Sequence, residues 1–293
     1  MHIEPTGGAL GAVVTDLDLA QPLDAAATEA VLAALGRYGV LNFPGQDLTP
    51  AALKDFSARF GSLEINVAGV GQLPDAPEVM VLSNIVEDGK PIGLGDAGQG
   101  WHTDMSYSAG VALATVLHAR RVPHDDAGNP LGNTEFADMH AAYADLPGDL
   151  KTRLDGATAT HDFEKFWEMM RARPGSRRAS LTDDQRRRKP PVSHPVCPVH
   201  PVTGRRILYA NPGYVTKLDG WPKAESDAML DLLFAHQLQP KYRHVHRWCE
   251  GDVLMWDDLG TLHNAIADYG GRPRLMQRCQ VMADRVFAGA VPI

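Results

Sequence analysis

The sequence predicts a mainly β fold with peripheral helices, arranged as a double-sheet jelly roll. Two observations lead to this class. After residue 75 the chain contains many short segments of apolar and β-branched residues separated by Gly, Pro or Asp, which is typical of the strands of a sandwich or barrel. Helical patterns and long insertions interrupt these strands, which favours a jelly roll with helices outside it over a compact meander. We expect residues 1–293 to form one domain.

The first third of the chain contains two helices on either side of a short strand. Residues 25–38 carry an apolar stripe at helical spacing, and residues 40–43 are a strand that a Pro-Gly pair ends. A second helix is predicted after Thr49, because threonine is a good N-cap and Pro50 suits the first helical position. Later strands are predicted at 79–85, 111–118, 206–210, 242–247, 252–256 and 274–282. Later helices are predicted at about 138–153 and 223–236.

The composition narrows the classes of function. Lys and Arg number 28 and Asp and Glu 36, a formal net charge of -8. This balance argues against a nucleic-acid-binding protein, because such proteins gain affinity by neutralising phosphates. Three separated cysteines fit neither a disulfide framework nor a cysteine-based zinc site. With twelve histidines, any metal chemistry is expected to use nitrogen and oxygen ligands.

The N-terminal residues and the lengths of the apolar runs indicate where in the cell the protein is expected. No Lys or Arg precedes the first apolar residues, unlike in a secretory or transit signal. No run of about 18 apolar residues occurs, so a membrane-spanning helix is not expected. We therefore expect a cytoplasmic protein without a nucleic-acid or membrane partner.

One segment is strongly basic. Residues 165–189 contain nine basic and three acidic residues within an acidic chain. Two interpretations are open. The segment is either a solvated surface excursion or a lid or insertion, spanning about 160–192, that closes over an anionic ligand.

A histidine and an aspartate are placed to share a metal ion. In an extended segment, His102 and Asp104 project to one side. The pattern is weak alone, since residues 124–126 repeat it in a polar turn. The best candidate for a third ligand is His263, which follows an apolar strand and a turn. Two histidines and one carboxylate leave three positions open on a six-coordinate ion, as in non-heme Fe(II) oxygenases.

Two arginines lie on the last predicted strand. Arg274, Met276 and Arg278 share one face of that strand. Guanidinium groups directed inward call for an anionic partner, because an unpaired buried charge is costly. The planar fork of arginine suits a carboxylate in particular.

The order of motifs along the chain is more specific than any one of them. Trp-His-Thr-Asp at 101–104 is followed by a distal histidine at 263 and by arginines eleven and fifteen residues later. Five other segments are further motifs in this order: GAVVTDLDL near the start, VLNFPGQDLT at 40–49, FSARFGSLE at 56–64, GNTEFADMHAAYADLP at 132–147 and YRHVHRWCEGDVLMWDD at 242–258. Over nearly its whole length the chain resembles the taurine dioxygenase / 2,4-dichlorophenoxyacetate dioxygenase family. The resemblance implies a dioxygenase that uses Fe(II), 2-oxoglutarate and O2 on a cupin-like double-stranded β-helix, and a homo-oligomer, either dimer or tetramer.

The resemblance also implies roles for the matching residues. The iron ligands are matched by His102, Asp104 and His263. Thr134 matches a threonine that hydrogen-bonds the distal carboxylate of 2-oxoglutarate, and Arg274 matches the arginine that forms a salt bridge with it. Arg278 matches a second active-site arginine, near the substrate anion or the other end of the co-substrate. Trp256 is expected to pack rather than to take part in chemistry.

The substrate is less closely defined. Where taurine-specific relatives carry histidine, tyrosine and asparagine, this chain has Asn66, Gly69 and Gly98, which argues against taurine. Residues 82–90 and 134–147 resemble the aryloxyacetate-cleaving branch, which favours a small organic carboxylate. The candidate contacts for that anion are Asn84, Lys90 and Arg278. A sulfonate, an amino acid and a natural-product intermediate stay open as alternatives.

A second class of protein competes with the dioxygenase, namely a cupin-like metal protein without oxygenase activity. Such a protein would have no reason to carry Thr134, Arg274 and Arg278 together. The other clustered histidines are His194, His200, His244 and His246. We expect these four to be structural or surface residues, because three ligands are already supplied.

Overall fold

The structure is a computed structural model that describes residues 1–65, 71–173, 176 and 178–285. The strands in these ranges are β1 (His2–Pro5), β2 (Ala12–Thr15), β3 (Val40–Phe43), β4 (Gln72–Leu73), β5 (Ala76–Ser83), β6 (Val86–Glu87), β7 (Lys90–Pro91), β8 (Ala112–Arg121), β9 (Thr134–Asp138), β10 (Thr158–His161), β11 (Val192–Pro195), β12 (Val215–Leu218), β13 (Arg243–His246), β14 (Val253–Asp257), β15 (Thr261–Ala265) and β16 (Leu275–Met282). The helices are α1 (Ala25–Tyr38), α2 (Pro50–Ser57), α3 (Met139–Ala144), α4 (Gly148–Leu154), α5 (Phe163–Arg171), α6 (Asp183–Arg188) and α7 (Lys223–Gln237), with a 3-10 turn at Pro240–Tyr242. None of the described helices is both long and apolar enough to cross a membrane.

Two sheets face each other. The major sheet has eight strands in the order β1-β2-β3-β14-β8-β16-β5-β4, and the minor sheet has three in the order β13-β9-β15. Phe136 on β9 packs edge-on against Trp256 on β14, with ring centroids 5.5 Å apart. The inner faces of the two sheets therefore meet, and the predicted jelly roll, a double-stranded β-helix, is confirmed. A further sheet, β11-β10-β12, and the hairpin β6-β7 lie outside this pair.

Alternation along β14 separates the two faces of the major sheet. Val253 and Met255 belong to the larger hydrophobic core, which includes residues of α1 and α2. Leu254 and Trp256 belong to a second core cluster that includes Phe136 of the minor sheet. One face of the major sheet is thus covered by helices, while the other looks towards the minor sheet.

Local capping explains the first two helices. The Asp24 carboxylate accepts a hydrogen bond of 2.7 Å from the amide of Ala27 at the start of α1, and Gly39 ends that helix with a φ of 70°. At the start of α2 the Thr49 hydroxyl accepts from the amide three residues on, at 3.1 Å, and Pro50 occupies the first turn. Both helices and the strand between them are confirmed.

The strand predicted at 206–210 is wrong. This segment is buried, but the amides of Leu208 and Tyr209 donate to the carbonyls of Met139 and Val196, which lie on different segments. No regular ladder can form with such scattered partners. The apolar run reflected burial, which an irregular buried segment shares with a strand.

Several element boundaries also need correction. The helix predicted at about 138–153 is two helices, α3 and α4, because Pro147 between them has no amide hydrogen to continue a helix. The other predicted strands correspond to β5, β8, β13, β14 and β16 with shifted ends, and the helix at 223–236 is confirmed as α7. Strands β9 and β15, which form the centre of the minor sheet and one of its edges, were not among the predicted strands.

Candidate active site

Backbone pairing holds two histidines side by side. His102 donates its amide to the carbonyl of His263 at 3.1 Å, and His263 donates to the carbonyl of His102 at 2.8 Å. The imidazole rings are buried, with centroids 4.2 Å apart. The ring of Trp256 lies 5.0 Å from that of His263, which agrees with the packing role expected for Trp256.

Asp104 completes the cluster. Its Oδ1 lies 3.5 Å from His102 Nε2, and its Oδ2 lies 4.0 Å from His263 Nε2. Two atoms that each bind one ion at about 2.1 Å are at most about 4.2 Å apart, so both separations admit a shared ion. The fold therefore brings together the three predicted ligands, although Asp104 lies in a turn rather than in an extended strand.

A buried polar network surrounds the Asp104 carboxylate. Thr115 Oγ1 lies 3.1 Å from Asp104 Oδ2 and 2.8 Å from Asp258 Oδ2. Gln280 donates to Thr115 Oγ1 at 2.9 Å and to Asp258 Oδ2 at 2.8 Å. Arg278 donates from Nη1 to Asp104 Oδ2 at 3.2 Å. Because β8 and β16 carry three of these side chains, the major sheet orients the carboxylate.

The charges in the cluster favour metal binding. Burial would raise the pKa of Asp104, but Arg278 and the two histidines hold it below its ordinary value. Burial, with help from His102 and Arg278, lowers the pKa of His263 to about 3 despite the negative charge of Asp104. An ionised carboxylate and a neutral imidazole are the forms that bind a metal. Burial and the charge of Asp104 raise the pKa of Asp258, so Asp258 is the neutral carboxyl group of the two.

The second nitrogen of the His102 ring shows that this residue fits a metal. His102 Nδ1 lies 2.7 Å from the carbonyl oxygen of Gly100 and therefore carries the proton. The lone pair is then on Nε2, which faces Asp104. Histidines that bind metals commonly donate their other N–H in this way. Two imidazoles and one carboxylate in these states fit Fe(II).

Another buried group has the same residue types but not the same hydrogen bonds. His140, His200 and Asp257 have potential ligand atoms within 4.8 Å of one another. His200 Nδ1 accepts the amides of Val202 and Thr203 at 3.1 and 3.2 Å, so the proton of the neutral ring is on Nε2. That nitrogen donates to Asp257 Oδ1 at 3.2 Å. A metal would have to displace this proton, so the group suits a structural clamp on the turn before β15.

Thr134 opens β9 on the inner face of the minor sheet. It lies opposite Ala265, and Phe136, two residues on, lies opposite His263, so Thr134 and His263 point to the same side. Trp248 donates from its indole N–H to Thr134 Oγ1 at 3.1 Å. The hydroxyl hydrogen of Thr134 is therefore left for another acceptor.

Arg274 directly precedes β16 and is only 9% exposed. Its Nη2 donates to the carbonyl of Gly132 at 3.3 Å, and its guanidinium lies 5.7 Å from the centre of the Tyr269 ring. Burial lowers its pKa, against the opposing influence of Tyr269 and Asp268. No carboxylate of the described residues lies within 4.0 Å of this cation. Gly132 is two residues from Thr134, so the two predicted co-substrate residues lie at one end of the site.

A cavity of about 220 Å³ lies beside the cluster. Arg278 and Gln280 of β16 form part of its wall, and Arg278 Nε, a buried atom, has no hydrogen-bond partner in the described structure. Apolar and aromatic side chains form most of the remaining wall: Met80, Met105, Tyr107, Phe163, Trp167 and Leu181. The cavity thus combines a cation next to Asp104 with a largely apolar wall, to which Glu64, Glu78, Arg188 and Lys189 add charged groups.

The described residues of 160–192 lie over this site. Helix α5 brings the Phe166 ring to 4.7 Å from the His102 ring. Arg178 forms two hydrogen bonds to Asp96, of 2.8 and 2.9 Å, which tie the segment to the loop before His102. Phe163, Phe166 and Met170 follow a helical period. This apolar period in the sequence indicates a helix with one buried face, which the count of charged residues in the segment does not reveal.

Of the three predicted substrate contacts, only Arg278 lines the cavity within the described part of the chain. Asn84 donates to the carbonyl of Arg272 and accepts from the amide of Arg274, both at 2.9 Å. It therefore holds the start of β16 in place. Lys90 is exposed on the β6-β7 hairpin.

Of the three positions that argue against taurine as the substrate, one lies within the described residues. Gly98 accepts a hydrogen bond of 2.9 Å from the amide of Ala265, at the end of the strand that carries His263. Asn66 and Gly69 lie outside the described residues. The argument from these two positions stays a prediction.

Sequence reasoning missed the residues that surround the three ligands. Asp258, the residue after β14, accepts a hydrogen bond of 3.0 Å from the Trp256 indole and continues the alternation of that strand towards the site. The same alternation places Thr115 on the inner face of β8. The alternation of side chains along the predicted strands could therefore have identified Asp258 and Thr115 as residues that face the site. Trp248 had no comparable local signal, because its contact with Thr134 depends on how the minor sheet is paired.

A jelly roll with two histidines and one aspartate grouped on its inner side has the ligand set of mononuclear non-heme iron enzymes. Comparison with known proteins agrees. The sequence profile of the Taurine catabolism dioxygenase TauD, TfdA family matches residues 2–280, and the chain belongs to this family.

Two curated relatives and one solved structure illustrate the similarity. Pentalenolactone F synthase from Streptomyces arenae is 32% identical over 286 residues, covering 95% of this chain and 94% of that protein. Alpha-ketoglutarate-dependent 2,4-dichlorophenoxyacetate dioxygenase from Burkholderia sp. (strain RASC) is 33% identical over 261 residues, covering 85% and 84%. The crystal structure of AAD-2 in complex with Mn(II) and N-oxalylglycine is 29% identical, with a TM-score of 0.80, and covers 96% of this chain and 98% of that one.

Family membership decides between the two classes that the sequence left open. The protein is a 2-oxoglutarate-dependent non-heme iron dioxygenase, an oxidoreductase that uses Fe(II), 2-oxoglutarate and O2 and acts on a small molecule. The predicted family, enzyme class and cofactors are confirmed. The alternative of a metal protein without oxygenase activity is wrong.

Proposed function

We propose that the enzyme hydroxylates a small organic anion with a ring-sized apolar body, an aryloxyalkanoate-like carboxylate above all. The cavity is the observation that carries this proposal. An apolar cavity of about 150 Å³ is large enough to bind benzene, and this one measures about 220 Å³. It therefore has room for a ring with a short substituent. Arg278 supplies the cation for the carboxylate at the wall next to Asp104.

In this proposal His102, Asp104 and His263 hold Fe(II). When bound with 2-oxoglutarate, the iron supplies O2 activation coupled to oxidative decarboxylation, which yields succinate and CO2. The chain keeps the carboxylate ionised and the His263 imidazole neutral. Thr115 and Arg278 restrain the orientation of Asp104, so that its oxygens stay turned towards both histidines.

Arg274 and Thr134 bind the distal carboxylate of 2-oxoglutarate. Among the described residues, the buried guanidinium of Arg274 contacts one carbonyl and an aromatic ring but no carboxylate within 4.0 Å, and the co-substrate carboxylate would supply that negative partner. Thr134 adds a hydroxyl donor whose oxygen is already occupied by Trp248. Fixing the far end of the co-substrate orients its reacting end before the reaction begins.

Arg278 would bind the substrate carboxylate next to the metal site. In an aryloxyacetate, one carbon lies between the ether oxygen and the carboxylate. This binding mode would place that carbon nearest the iron. Hydroxylation there gives a hemiacetal, which collapses to a phenol and glyoxylate. The apolar walls would hold the aryl ring.

Residues 160–192 act as a lid over this site rather than as a surface excursion. Phe163 and Trp167 line the cavity, and Phe166 covers His102. The Arg178–Asp96 pair joins the segment to the loop that leads to His102. Closure by these residues would exclude water from the substrate.

The test is substrate-stimulated succinate formation by the Fe(II)-loaded enzyme across aryloxy acids, sulfonates and amino acids. We expect the largest stimulation with an aryloxyalkanoate. Stimulation by sulfonates or amino acids alone would contradict the assignment. The second candidate is an apolar natural-product intermediate, which the 32% identity to Pentalenolactone F synthase favours. Stimulation by a polycyclic carboxylic acid without an ether would support it.

A further inference from the structure

Four consecutive basic residues, the last three of helix α6 and the residue after it, differ in their partners. Residues 186–188 are arginines, and all three form ion pairs. The first lies 2.8 Å from Glu164, and the last lies 2.5 Å from Asp184. Lys189 is different, because no carboxylate of the described residues lies within 4.0 Å of its Nζ. One cation of the four is therefore left without an acidic partner.

The position of Lys189 is fixed by the backbone. Its amide donates to the carbonyls of Gln185 and Arg186, and Pro190 follows directly. Proline restricts the backbone of the residue before it, so Lys189 has few alternatives to its present conformation. Its Nζ lies 5.4 Å above the Tyr107 ring, and the side chain lines the cavity.

Three cations therefore line the cavity, and only Lys189 among them has no carboxylate of the described residues within 4.0 Å. Arg278 lies on β16, whereas Arg188, which pairs with Asp184, and Lys189 belong to the lid segment. The Tyr107 ring, which Lys189 Nζ overlies at 5.4 Å, is part of the same lining. The acidic residues of the lining are Glu64 and Glu78. Glu78 is neutralised by Lys54 at 2.8 Å, which leaves Glu64 as the carboxylate that could favour the opposite charge.

We propose that Lys189 forms a second anion subsite, and that preferred substrates carry an oxyanion at each end of an apolar or aromatic body. Arg278 binds the group near the metal, and Lys189 binds the group that reaches the lid. Lys189 is then a specificity-determining residue, because it distinguishes two-ended anions from one-ended ones. The proposal rests on the assignment of Arg278 to the substrate carboxylate.

The test compares ligands that differ in the second charge only. Binding of phenoxyacetate is measured by calorimetry and compared with that of 3- and 4-carboxyphenoxyacetate, which place the second carboxylate at two distances. The enzyme carries Mn(II) and N-oxalylglycine, so no turnover occurs. The variant is Lys189→Met, with Lys189→Arg to restore the charge. Arg187→Ala is the matched control, because Arg187 lies two residues before Lys189, is 71% exposed at its side chain and does not line the cavity.

We expect one of the dicarboxylates to bind the wild type about tenfold more tightly than phenoxyacetate, since a hydrogen bond between charged groups is worth about that factor. Lys189→Met should remove this advantage and leave the affinity for phenoxyacetate within about twofold. Lys189→Arg should restore most of the advantage, and Arg187→Ala should keep all of it.

The outcomes separate this proposal from the assignment on which it rests. If the wild type binds phenoxyacetate but gains nothing from a second carboxylate, the subsite is refuted and the substrate class stands. A loss of affinity for both ligands in Lys189→Met would mean that Lys189 binds the first carboxylate, which also refutes the subsite. If 4-(aminomethyl)phenoxyacetate binds more tightly than either dicarboxylate, Glu64 controls that wall instead. If the wild type binds none of the ligands, both proposals fall.

Discussion

Replacing Arg274 by methionine should weaken 2-oxoglutarate binding without weakening the fold. Arg274 is 9% exposed, and its guanidinium donates one long hydrogen bond, of 3.3 Å, to the carbonyl of Gly132 in the described structure. Burial lowers its pKa, which means that the protein disfavours this charge when no anion is present. Methionine keeps the apolar stem against Tyr269 and removes the charge. The variant without co-substrate should therefore be at least as stable as the wild type.

The size of the effect follows from the contact that is lost. A charge-assisted, two-pronged contact to a carboxylate contributes up to about 3 kcal/mol, which is roughly a hundredfold in affinity. At a 2-oxoglutarate concentration 100 times the wild-type Kd, binding stabilises the wild type by about 2.7 kcal/mol. A variant with a hundredfold higher Kd gains only about 0.4 kcal/mol at that concentration.

The assay is thermal or urea unfolding of the Mn(II)-loaded enzyme with and without 2-oxoglutarate. Arg272→Ala is the matched control, because Arg272 lies two residues away and pairs at 2.7 Å with Asp126, whose side chain is 98% exposed. This control should keep the full stabilisation. Equal stabilisation of Arg274→Met and wild type would refute the assigned role. So would an equal loss in both variants, since the effect would then come from the backbone of this segment.

Three other changes test the site and its surroundings. Asp104→Ala should abolish Fe(II) binding and succinate formation, and full turnover would disprove its role as a ligand. Trp248→Phe should raise the KM for 2-oxoglutarate roughly threefold to tenfold with little change in kcat, because Thr134 loses the donor that orients its hydroxyl; unchanged kinetics would count against this role. His161 is fully buried, and burial lowers its pKa to about 3 from an ordinary value of 6.5. Below pH 6.5 this histidine therefore binds a proton in the unfolded chain but stays neutral in the folded one. The free energy of unfolding consequently decreases as the pH falls from 6.5 towards 3, by up to about 1.4 kcal/mol per pH unit. In urea unfolding at pH 7, 6 and 5, His161→Phe should flatten this slope by about one proton, and an unchanged slope would argue against it.

Features that depend on local sequence were predictable, and those that depend on pairing between distant strands were not. The apolar period and caps of residues 25–57 are local, and α1, β3 and α2 were predicted correctly. The grouping of His102 and Asp104 needs only the geometry of three residues. Asn84 shows the opposite case. Its motif suggested a substrate contact, but both ends of its amide bind the backbone of residues 272 and 274, a contact that exists only once β5 pairs with β16.

The basic segment shows why charge counted along a sequence overstates the attraction for an anion. Arg171 pairs at 2.6 Å with Glu168, and Arg178 pairs with Asp96. The arginines at 186–188 pair with Glu164 and Asp184. Paired charges of opposite sign largely cancel beyond about 8 Å at physiological ionic strength, so these arginines hold the segment together more than they draw in a ligand. Within this segment, a cation is free to act on a substrate when it lines the cavity and has no carboxylate within 4.0 Å. On that criterion the described basic residues of 165–189 reduce to Lys189, which lines the same cavity as Arg278 of β16.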